Sequence, residues 1–298
     1  MSNDVYLYGM ILATTSFLLE GNYPEPDNYG EIKKKYRLPG GETGTCATVL
    51  NSLGVSVKMD GNHIGSNVKP VITNFYQDKA VDLTSLTFDE TYEGLEDYVI
   101  IDQKTRTVFG SFNGYYGDTI KRWNTPKEED IVQSKIAGID PYFGKQTNLV
   151  AEYCVKNHVK YVTIDCPYDS YLHKNAAINV VSNEFTRNAY PNANREELLW
   201  LYMQHSDGLT ILTNGSKEFE FGRKSNGIKK FIPYSIDVVS TLGAGDTFKA
   251  GCVYALLKGM SDEDTVRFAS ACSAVACTRF PLPLNPPKLE EVNAMQQR

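Results

Sequence analysis

The chain has 298 residues, of which 42% are hydrophobic, and this supplies a sizeable core for one large α/β domain or two small ones. Thirty basic residues against thirty-six acidic residues leave a net charge of −6, which argues against a nucleic-acid or anionic-membrane partner because both require a basic surface. The sequence has no run of about 18 apolar residues, and its first residues include Asp4 and no basic region. We therefore expect a cytoplasmic protein without a membrane span or a signal peptide.

The spacing of cysteine and histidine predicts neither disulfides nor a metal site built from these residues. The six cysteines are scattered through apolar or small-residue stretches without a CxxC pair, which favours reduced thiols in the core. The four histidines are isolated from one another and have no metal-ligand spacing. Because the net charge is negative, a ligand that carries phosphate groups would have to be held by local backbone N–H groups and a metal ion, not by the overall charge.

In chain order, the sequence predicts strands that alternate with helices. The predicted strands lie at 4–13, 98–101, 107–112, 135–140, 160–167, 180–183, 208–213 and 231–239. The predicted helices lie at 39–54, 147–157, 196–204, 248–259, 261–278 and 289–295. Alternation at this frequency indicates an α/β fold with a mainly parallel sheet that helices cover on both faces.

The stretch at 240–251, STLGAGDTFKAG, carries the strongest functional signal. A predicted strand precedes it and a helix follows, an arrangement that presents free backbone N–H groups to an anion. Gly243 and Gly245 permit a tight turn, and Asp246 falls in the first helical turn. Such a carboxylate suits phosphoryl transfer, because it accepts a hydroxyl proton while the N–H groups stabilise charge on the moving group. The alternative is an ordinary turn in which Asp246 only favours the positive end of the helix dipole.

Two motifs resemble the signatures of the ribokinase-like (PfkB) carbohydrate kinases. GAGD followed by TFKAG at 247–251 resembles the second signature, with Ser240-Thr241 in place of Asp-Thr. Gly40-Gly41, opening a helix that ends in L-x-x-L-G at Gly54, resembles the first. The resemblance covers essentially the whole chain. It implies a single three-layer kinase domain over 1–298, with a small β lid formed near 15–39 and 95–115.

The resemblance also implies an enzyme that uses ATP and Mg²⁺ to phosphorylate a hydroxyl group of a sugar or sugar derivative, with Asp246 as general base and the 243–245 turn as anion hole. The implied catalytic residues are Asp246, Gly243, Ala244 and Gly245. The implied acceptor-binding residues are Thr14, Gly40, Gly41 and Thr45. The implied nucleotide-binding residues are Asn183, Thr213, Gly215 and Thr241, and Glu184 is the candidate metal ligand.

Several positions depart from the family pattern. Thr14 stands in the place of an Asp that holds sugar hydroxyls, and Thr45 stands in the place of an Asn. Thr186 replaces the Glu of an N-x-x-E motif. Ser240 stands in place of an Asp in the loop before the glycine turn, and this puts a monovalent-cation site near the loop in question. Losing an acid that binds two hydroxyls changes substrate choice, since buried hydroxyls need partners. We therefore expect an unusual acceptor, such as a modified or amino sugar.

Three functions remain open from the sequence. They are a sugar kinase, a nucleoside kinase of the same fold, and a non-catalytic protein that binds a sugar or a nucleotide. Asp246 within an intact GAGD favours an enzyme, whereas the missing Glu at position 186 favours the binding protein. The sequence does not name the acceptor, its phosphorylated hydroxyl or the oligomeric state, although exposed lid edges permit a homodimer.

Overall fold

The computed structural model describes residues 3–103 and 105–298. Its strands are β1 (Val5–Gly9), β2 (Leu12–Leu19), β3 (Ile32–Gly40), β4 (Val57–Gly61), β5 (Ile64–Gly65), β6 (Val81–Asp82), β7 (Phe88–Asp89), β8 (Glu96–Ile101), β9 (Arg106–Gly110), β10 (Ile136–Ile139), β11 (Lys160–Ile164), β12 (Ile178–Val181), β13 (Leu209–Leu212), β14 (Phe219–Arg223) and β15 (Gly227–Phe231). Its helices are α1 (Glu42–Ser52), α2 (Lys69–Tyr76), α3 (Phe112–Gly117), α4 (Glu128–Val132), α5 (Lys145–Lys156), α6 (Tyr171–Asn175), α7 (Asn183–Ala189), α8 (Arg195–His205), α9 (Ala244–Lys258), α10 (Asp262–Cys277) and α11 (Leu289–Met295), with a short 3₁₀ helix at Leu282–Leu284.

The main sheet has nine strands in the order β15-β14-β13-β12-β11-β10-β1-β4-β6. Neighbours from β13 to β6 pair in parallel, and β14 and β15 add an antiparallel edge. The carboxyl ends of the parallel strands therefore lie along one edge of the sheet. This is the edge at which open α/β sheets bind ligands.

Strand β1 shows why helices cover both faces of this sheet. Successive strand side chains point to opposite faces, and every residue of β1 is buried. Val5 and Leu7 pack into the core formed with α1, α2, α9, α10 and α11. Tyr6 and Tyr8 pack into the opposite core, with α5 and α6. The predicted three-layer α/β fold is confirmed.

A second sheet, the lid sheet, has the strand order β3-β2-β8-β9. Its residues come from two segments, Leu12–Gly40 and Glu96–Gly110, close to the predicted lid segments. The β8–β9 hairpin confirms the predicted one, while β2 and β8 pair in parallel. This parallel pair joins residues that are distant in the sequence, so local sequence patterns did not indicate it.

The predicted first strand at 4–13 is confirmed as far as Gly9, where the chain leaves the main sheet. The Asn62 side chain accepts a hydrogen bond from the N–H of Ile11 and donates one to its carbonyl, both at 2.7 Å. These bonds satisfy the Ile11 backbone without a neighbouring strand, and β2 then begins the lid sheet at Leu12. Thr14 consequently lies within the lid sheet and not at the end of the first strand.

The predicted strand at 231–239 is wrong beyond its first residue. Strand β15 ends at Phe231, and the following residues run to the glycine turn without strand pairing. Pro233 lacks an N–H group and so cannot donate to a strand ladder. Val239 and Ser240 instead donate their N–H groups to the carbonyl of Cys277, at 2.8 and 3.2 Å.

Other sequence-based expectations can be compared directly with the described residues. All six cysteines are buried and free, as predicted. None of the helices in the described part of the chain is long and apolar enough to cross a membrane. The terminal helix has the predicted bounds, Leu289–Met295.

Candidate active site

A cavity of about 340 Å³ lies between the lid sheet and the start of α9. Sequence-predicted residues that line it are Thr14, Gly40, Gly41, Thr45, Glu184, Gly243 and Asp246. Its other lining residues include Leu12, Ser16, Glu42, Asp97, Val108, Phe112, Leu242 and Leu282. The volume suits a small ligand. The fold therefore brings both glycine motifs to one cavity, although they are far apart in the sequence.

The turn before α9 depends on Gly243. This residue caps the helix in the left-handed conformation, with φ of 75°. A Cβ atom there would lie 2.8 Å from Leu282 Cδ2 and 3.2 Å from Thr45 Cγ2, so a side chain would be crowded as well as strained. The turn places Asp246 in the first turn of α9, as predicted, with its side chain at the cavity.

The start of α9 presents unpaired N–H groups beside this carboxylate. The N–H of Ala244 donates to the carbonyl of Thr241 at 3.2 Å. The N–H groups of Gly245 and Asp246 have no hydrogen-bond acceptor within residues 3–103 and 105–298. Together with the helix dipole, these groups can stabilise an anion at the helix start.

A buried ion pair between Asp140 and Lys249 lies behind Asp246. Both side chains are fully buried, and the Asp140 carboxylate also accepts hydrogen bonds from Met10 N–H at 3.1 Å and Thr43 Oγ1 at 2.7 Å. Burial alone would lower the pKa of the Lys249 ammonium, yet Asp140 holds that pKa above its usual value. Burial and the Asp140 charge raise the pKa of Asp246 to about 6, while Lys249 opposes this rise. Asp246 can therefore accept a proton close to neutral pH.

Glu42 is an acid at the cavity that the sequence analysis did not identify. It is the first residue of α1, directly after the glycine pair, and its Oε1 accepts a hydrogen bond from Tyr142 Oη at 2.9 Å. Burial, followed by the charges of Asp246 and Asp140, raises the pKa of Glu42 to about 8. Its position next to Gly41 was the available signal.

The glycine pair lets the lid approach α1 closely. A Cβ atom on Gly40 would overlap the hydroxyl of Thr14 on the neighbouring lid strand. Gly41 has φ of 79°, and a Cβ atom there would lie 2.5 Å from the carbonyl oxygen of Met10. The pair is therefore required for packing between the lid and α1, and it also exposes backbone to the cavity.

Asp97 on β8 is a second acid that the sequence analysis missed. Parallel pairing of β2 with β8 puts it in register with Thr14. Its Oδ1 atom is buried and has no hydrogen-bond partner in the described part of the chain. Burial raises the pKa of Asp97 to about 6, and the nearby Thr14 hydroxyl acts in the opposite direction. No local pattern indicated Asp97, because the pairing that positions it is non-local.

The predicted nucleotide residues lie beside the cavity but do not line it. Asn183 begins α7 after β12, and Thr213 follows the adjacent β13, where its N–H donates to Val181 at 2.9 Å. Gly215 occupies the next turn, with φ of 62°. Asn183 and Thr213 therefore share the carboxyl edge of the sheet.

The lid contacts this side of the site through Arg106. Its Nη1 donates to the carbonyl oxygen of Thr241 at 3.1 Å and to the Thr241 hydroxyl at 3.0 Å. Ser240, next to Thr241, is buried, and its hydroxyl accepts the N–H of Leu242 at 3.2 Å. The Arg106 contact links lid strand β9 to the loop before α9.

Glu184 fits the binding mode of Mg²⁺ better than Thr186 does. Thr186 is buried and donates its hydroxyl to the carbonyl of Ser182 at 2.9 Å, whereas the exposed Glu184 lines the cavity. The described residues include no group of three or more His, Cys, Asp or Glu side chains placed to hold a metal. Mg²⁺ commonly uses only one or two carboxylates together with water and substrate phosphates. A single carboxylate at the cavity is compatible with this mode.

Comparisons with known proteins agree with the α/β fold described above. The profile of the pfkB family carbohydrate kinases matches residues 4–282. A ribokinase from Lactococcus lactis is 25% identical over 264 residues, which cover 86% of this chain and 85% of the relative. The 1-phosphofructokinase of Escherichia coli is 49% identical over 47 residues, covering only 16% of this chain and 15% of the relative. The structure of Arabidopsis thaliana ribokinase complexed with ribose and ATP has a TM-score of 0.79 at 16% identity, over 100% of both chains.

Proposed function

Because the chain belongs to the PfkB family of carbohydrate kinases, we propose that it transfers the γ-phosphoryl group of ATP to a hydroxyl group of a sugar or sugar derivative. One observation carries the proposal. The Asp246 carboxylate faces a cavity of sugar-sized volume and lies in the same helical turn as unpaired N–H groups. Phosphoryl transfer needs this combination of a proton acceptor and an anion hole.

Asp246 acts as the general base in this proposal. Its pKa of about 6 leaves the carboxylate mainly ionised at neutral pH yet basic enough to accept a hydroxyl proton. The turn of Gly243, Ala244 and Gly245 forms the anion hole, in which backbone N–H groups stabilise charge on the transferred group. The acceptor lies against Thr14, Thr45 and the glycine pair, where the backbone is accessible.

ATP binds on the opposite side of the turn. In the proposal, Asn183, Thr213, Gly215 and Thr241 contact the nucleotide, and Glu184 holds Mg²⁺. Mg²⁺, when bound, neutralises charge on the phosphate groups. A monovalent cation near Ser240 is not part of the proposal. We place the reaction in the cytoplasm, where ATP is supplied.

Two alternatives come from the same site. A nucleoside could replace the sugar as acceptor, since it also offers sugar hydroxyls. A non-catalytic binding protein is favoured by one observation, the buried Thr186 in place of an exposed acid. The experiment that follows distinguishes both alternatives from the sugar kinase.

The first experiment measures ADP release with Mg-ATP against a panel of sugars, sugar derivatives and nucleosides. We expect the wild type to turn over sugars or their derivatives, and Asp246→Asn to lose about 10²- to 10⁴-fold in kcat because it removes the general base. ATP binding by the variant, measured by calorimetry, should stay near normal. Unchanged turnover in Asp246→Asn would refute the role of this residue. Turnover of nucleosides alone would select the nucleoside kinase, and absence of both turnover and ATP binding would favour the non-catalytic protein.

We also propose a homodimer formed through the lid sheet. Tyr98 on β8 and Phe109 on β9 are paired across the hairpin and are 48% and 47% exposed. Strand β9 lies at the edge of the lid sheet, so its outer backbone groups are available for a second chain. An exposed aromatic pair beside an open strand edge suits a symmetric interface.

A further inference from the structure

The cavity has a one-sided charge. The acidic residues that line it are Glu42, Asp97, Glu184 and Asp246, of which Glu42, with a pKa of about 8, is mainly protonated at neutral pH. None of its described lining residues is Lys, Arg or His. The proposed reaction uses Asp246 as the base and Glu184 for Mg²⁺. It leaves Glu42 and Asp97 without a role, and Asp97 lies on the lid side, where the acceptor binds.

The lid sheet directs Asp97 into the cavity. Leu12, Thr14 and Ser16 alternate along β2 and all line the cavity, so one face of this strand is turned towards it. Asp97 lies opposite Thr14 in the parallel pairing and lines the same cavity. Its neighbour Glu96 does not line the cavity and instead forms an ion pair with Arg37.

Asp97 has an incomplete set of hydrogen bonds in the free protein. Its Oδ1 atom is buried without a hydrogen-bond partner within the described residues. A buried carboxylate oxygen that lacks a partner destabilises the fold. A binding site explains such a group, because the ligand supplies the missing donor.

We propose that Asp97 binds the acceptor and takes over the role of the acid that is absent at position 14, so that the acceptor is a neutral polyhydroxyl sugar or an amino sugar. This inference rests on the kinase reaction proposed above. Hydroxyl and ammonium groups both donate hydrogen bonds to a carboxylate. A sugar phosphate or a sugar acid would bring a further negative charge among these acids with no lining cation to balance it, which disfavours binding.

The test compares Asp97→Asn with Glu96→Gln. Each variant removes one negative charge, and the two residues are neighbours on β8. The acceptors are ribose, fructose, glucosamine, fructose 1-phosphate and gluconate, with Mg-ATP. We expect the wild type to use neutral or amino sugars. Asp97→Asn should raise the KM of the acceptor by about 10- to 100-fold, the effect of losing a hydrogen bond to a charged group, with the KM of ATP unchanged. Glu96→Gln should resemble the wild type, because its ion pair lies outside the cavity.

A second variant distinguishes a loss of acceptor binding from misfolding. Thr14→Asp combined with Asp97→Thr exchanges two residues that face each other, so the cavity keeps one lid carboxylate. We expect the exchange to recover much of the acceptor binding that Asp97→Asn loses.

Asp97→Asn should also unfold at a higher temperature than the wild type at pH 8. The pKa of Asp97 is higher in the folded chain than in the unfolded one, so its ionisation at higher pH opposes folding.

The outcomes separate this inference from the kinase proposal. Wild-type preference for fructose 1-phosphate or gluconate would overturn the inference and leave the kinase proposal intact. The same holds if Asp97→Asn leaves the KM of the acceptor unchanged. Absence of both turnover of every acceptor and ATP binding in the wild type would instead overturn the kinase proposal, and this inference with it.

Discussion

Lys249 lies inside the glycine motif, and its ammonium group is completely buried against Asp140. A buried ion pair contributes little net stability, yet breaking it leaves an uncompensated charge in the interior. Here the pair also acts on Asp246, because the charge of Asp140 raises its pKa and the charge of Lys249 lowers it. The pair therefore sets the protonation of the proposed base without touching the acceptor.

The pH dependence of the reaction follows from this arrangement. We expect kcat/KM to fall as the pH drops through about 6, because protonated Asp246 cannot accept the hydroxyl proton. Steady-state rates between pH 5 and 8, with ATP and Mg²⁺ held at saturation, measure this fall in kcat/KM, which is the acid limb of the pH profile. A profile that stays flat through this range would contradict Asp246 as the base.

Lys249→Met should act on both stability and the pH profile. It leaves Asp140 buried without its cation, which should cost about 3–5 kcal/mol of unfolding free energy. It also removes the positive charge that favours ionised Asp246, so the acid limb of kcat/KM should move to higher pH. Urea unfolding and the pH profile measure the two effects. Adding Asp140→Asn should restore part of the stability, and an unmoved acid limb in Lys249→Met would refute the electrostatic link.

At the scale of elements, the end of β3 approaches β2 closely just before α1 begins. Gly40→Ala should lower the free energy of unfolding by about 1–3 kcal/mol, because its Cβ atom overlaps the Thr14 hydroxyl. It should also raise the KM of the acceptor, since Thr14 contacts Asp97. Urea unfolding and steady-state kinetics measure both.

Gly44→Ala is the matched control for this variant. Gly44 lies two residues into the body of α1, and a Cβ atom there meets no atom within 4 Å. Alanine has the higher helix propensity, so this change should stabilise the protein by about 0.5–1 kcal/mol. Equal effects of the two substitutions would contradict the close approach at Gly40.

Local patterns predicted some elements well and missed others for a physical reason. The start of α9 and the terminal helix were predicted from helix caps, glycine positions and hydrophobic periodicity. All three signals depend on residues that are close in the sequence. The break after Gly9 depends on Asn62, and the position of Asp97 depends on a parallel pairing with Thr14. Such long-range contacts produce no periodic pattern in the sequence. The main glycine motifs of the site were therefore predictable, whereas the acids at Glu42 and Asp97 were not identified.

At the scale of the whole molecule, the lid sheet separates a face turned to the cavity from an outer face. Val108 lines the cavity, and the next residue, Phe109, lies on the outer face beside Tyr98. Phe109→Glu should therefore weaken the proposed dimer, because it buries a charge in the apolar centre of the interface.

Light scattering after size-exclusion chromatography at micromolar concentration measures this effect. We expect a dimer for the wild type and a monomer for Phe109→Glu. Val132→Lys, at a residue that is 52% exposed on α4, is the control and should remain dimeric. A monomeric wild type, or a dimer that survives Phe109→Glu, would refute the proposed interface.

The proposed contribution of the lid to acceptor choice has an evolutionary consequence. Asp97 belongs to the segment Glu96–Gly110, whereas the proposed base and anion hole belong to the distant α9. Mutations in the hairpin can therefore change which compound is phosphorylated while the inherited transfer machinery stays intact. Exchange of this short hairpin between relatives is a compact route to new acceptors, both in natural divergence and in the laboratory.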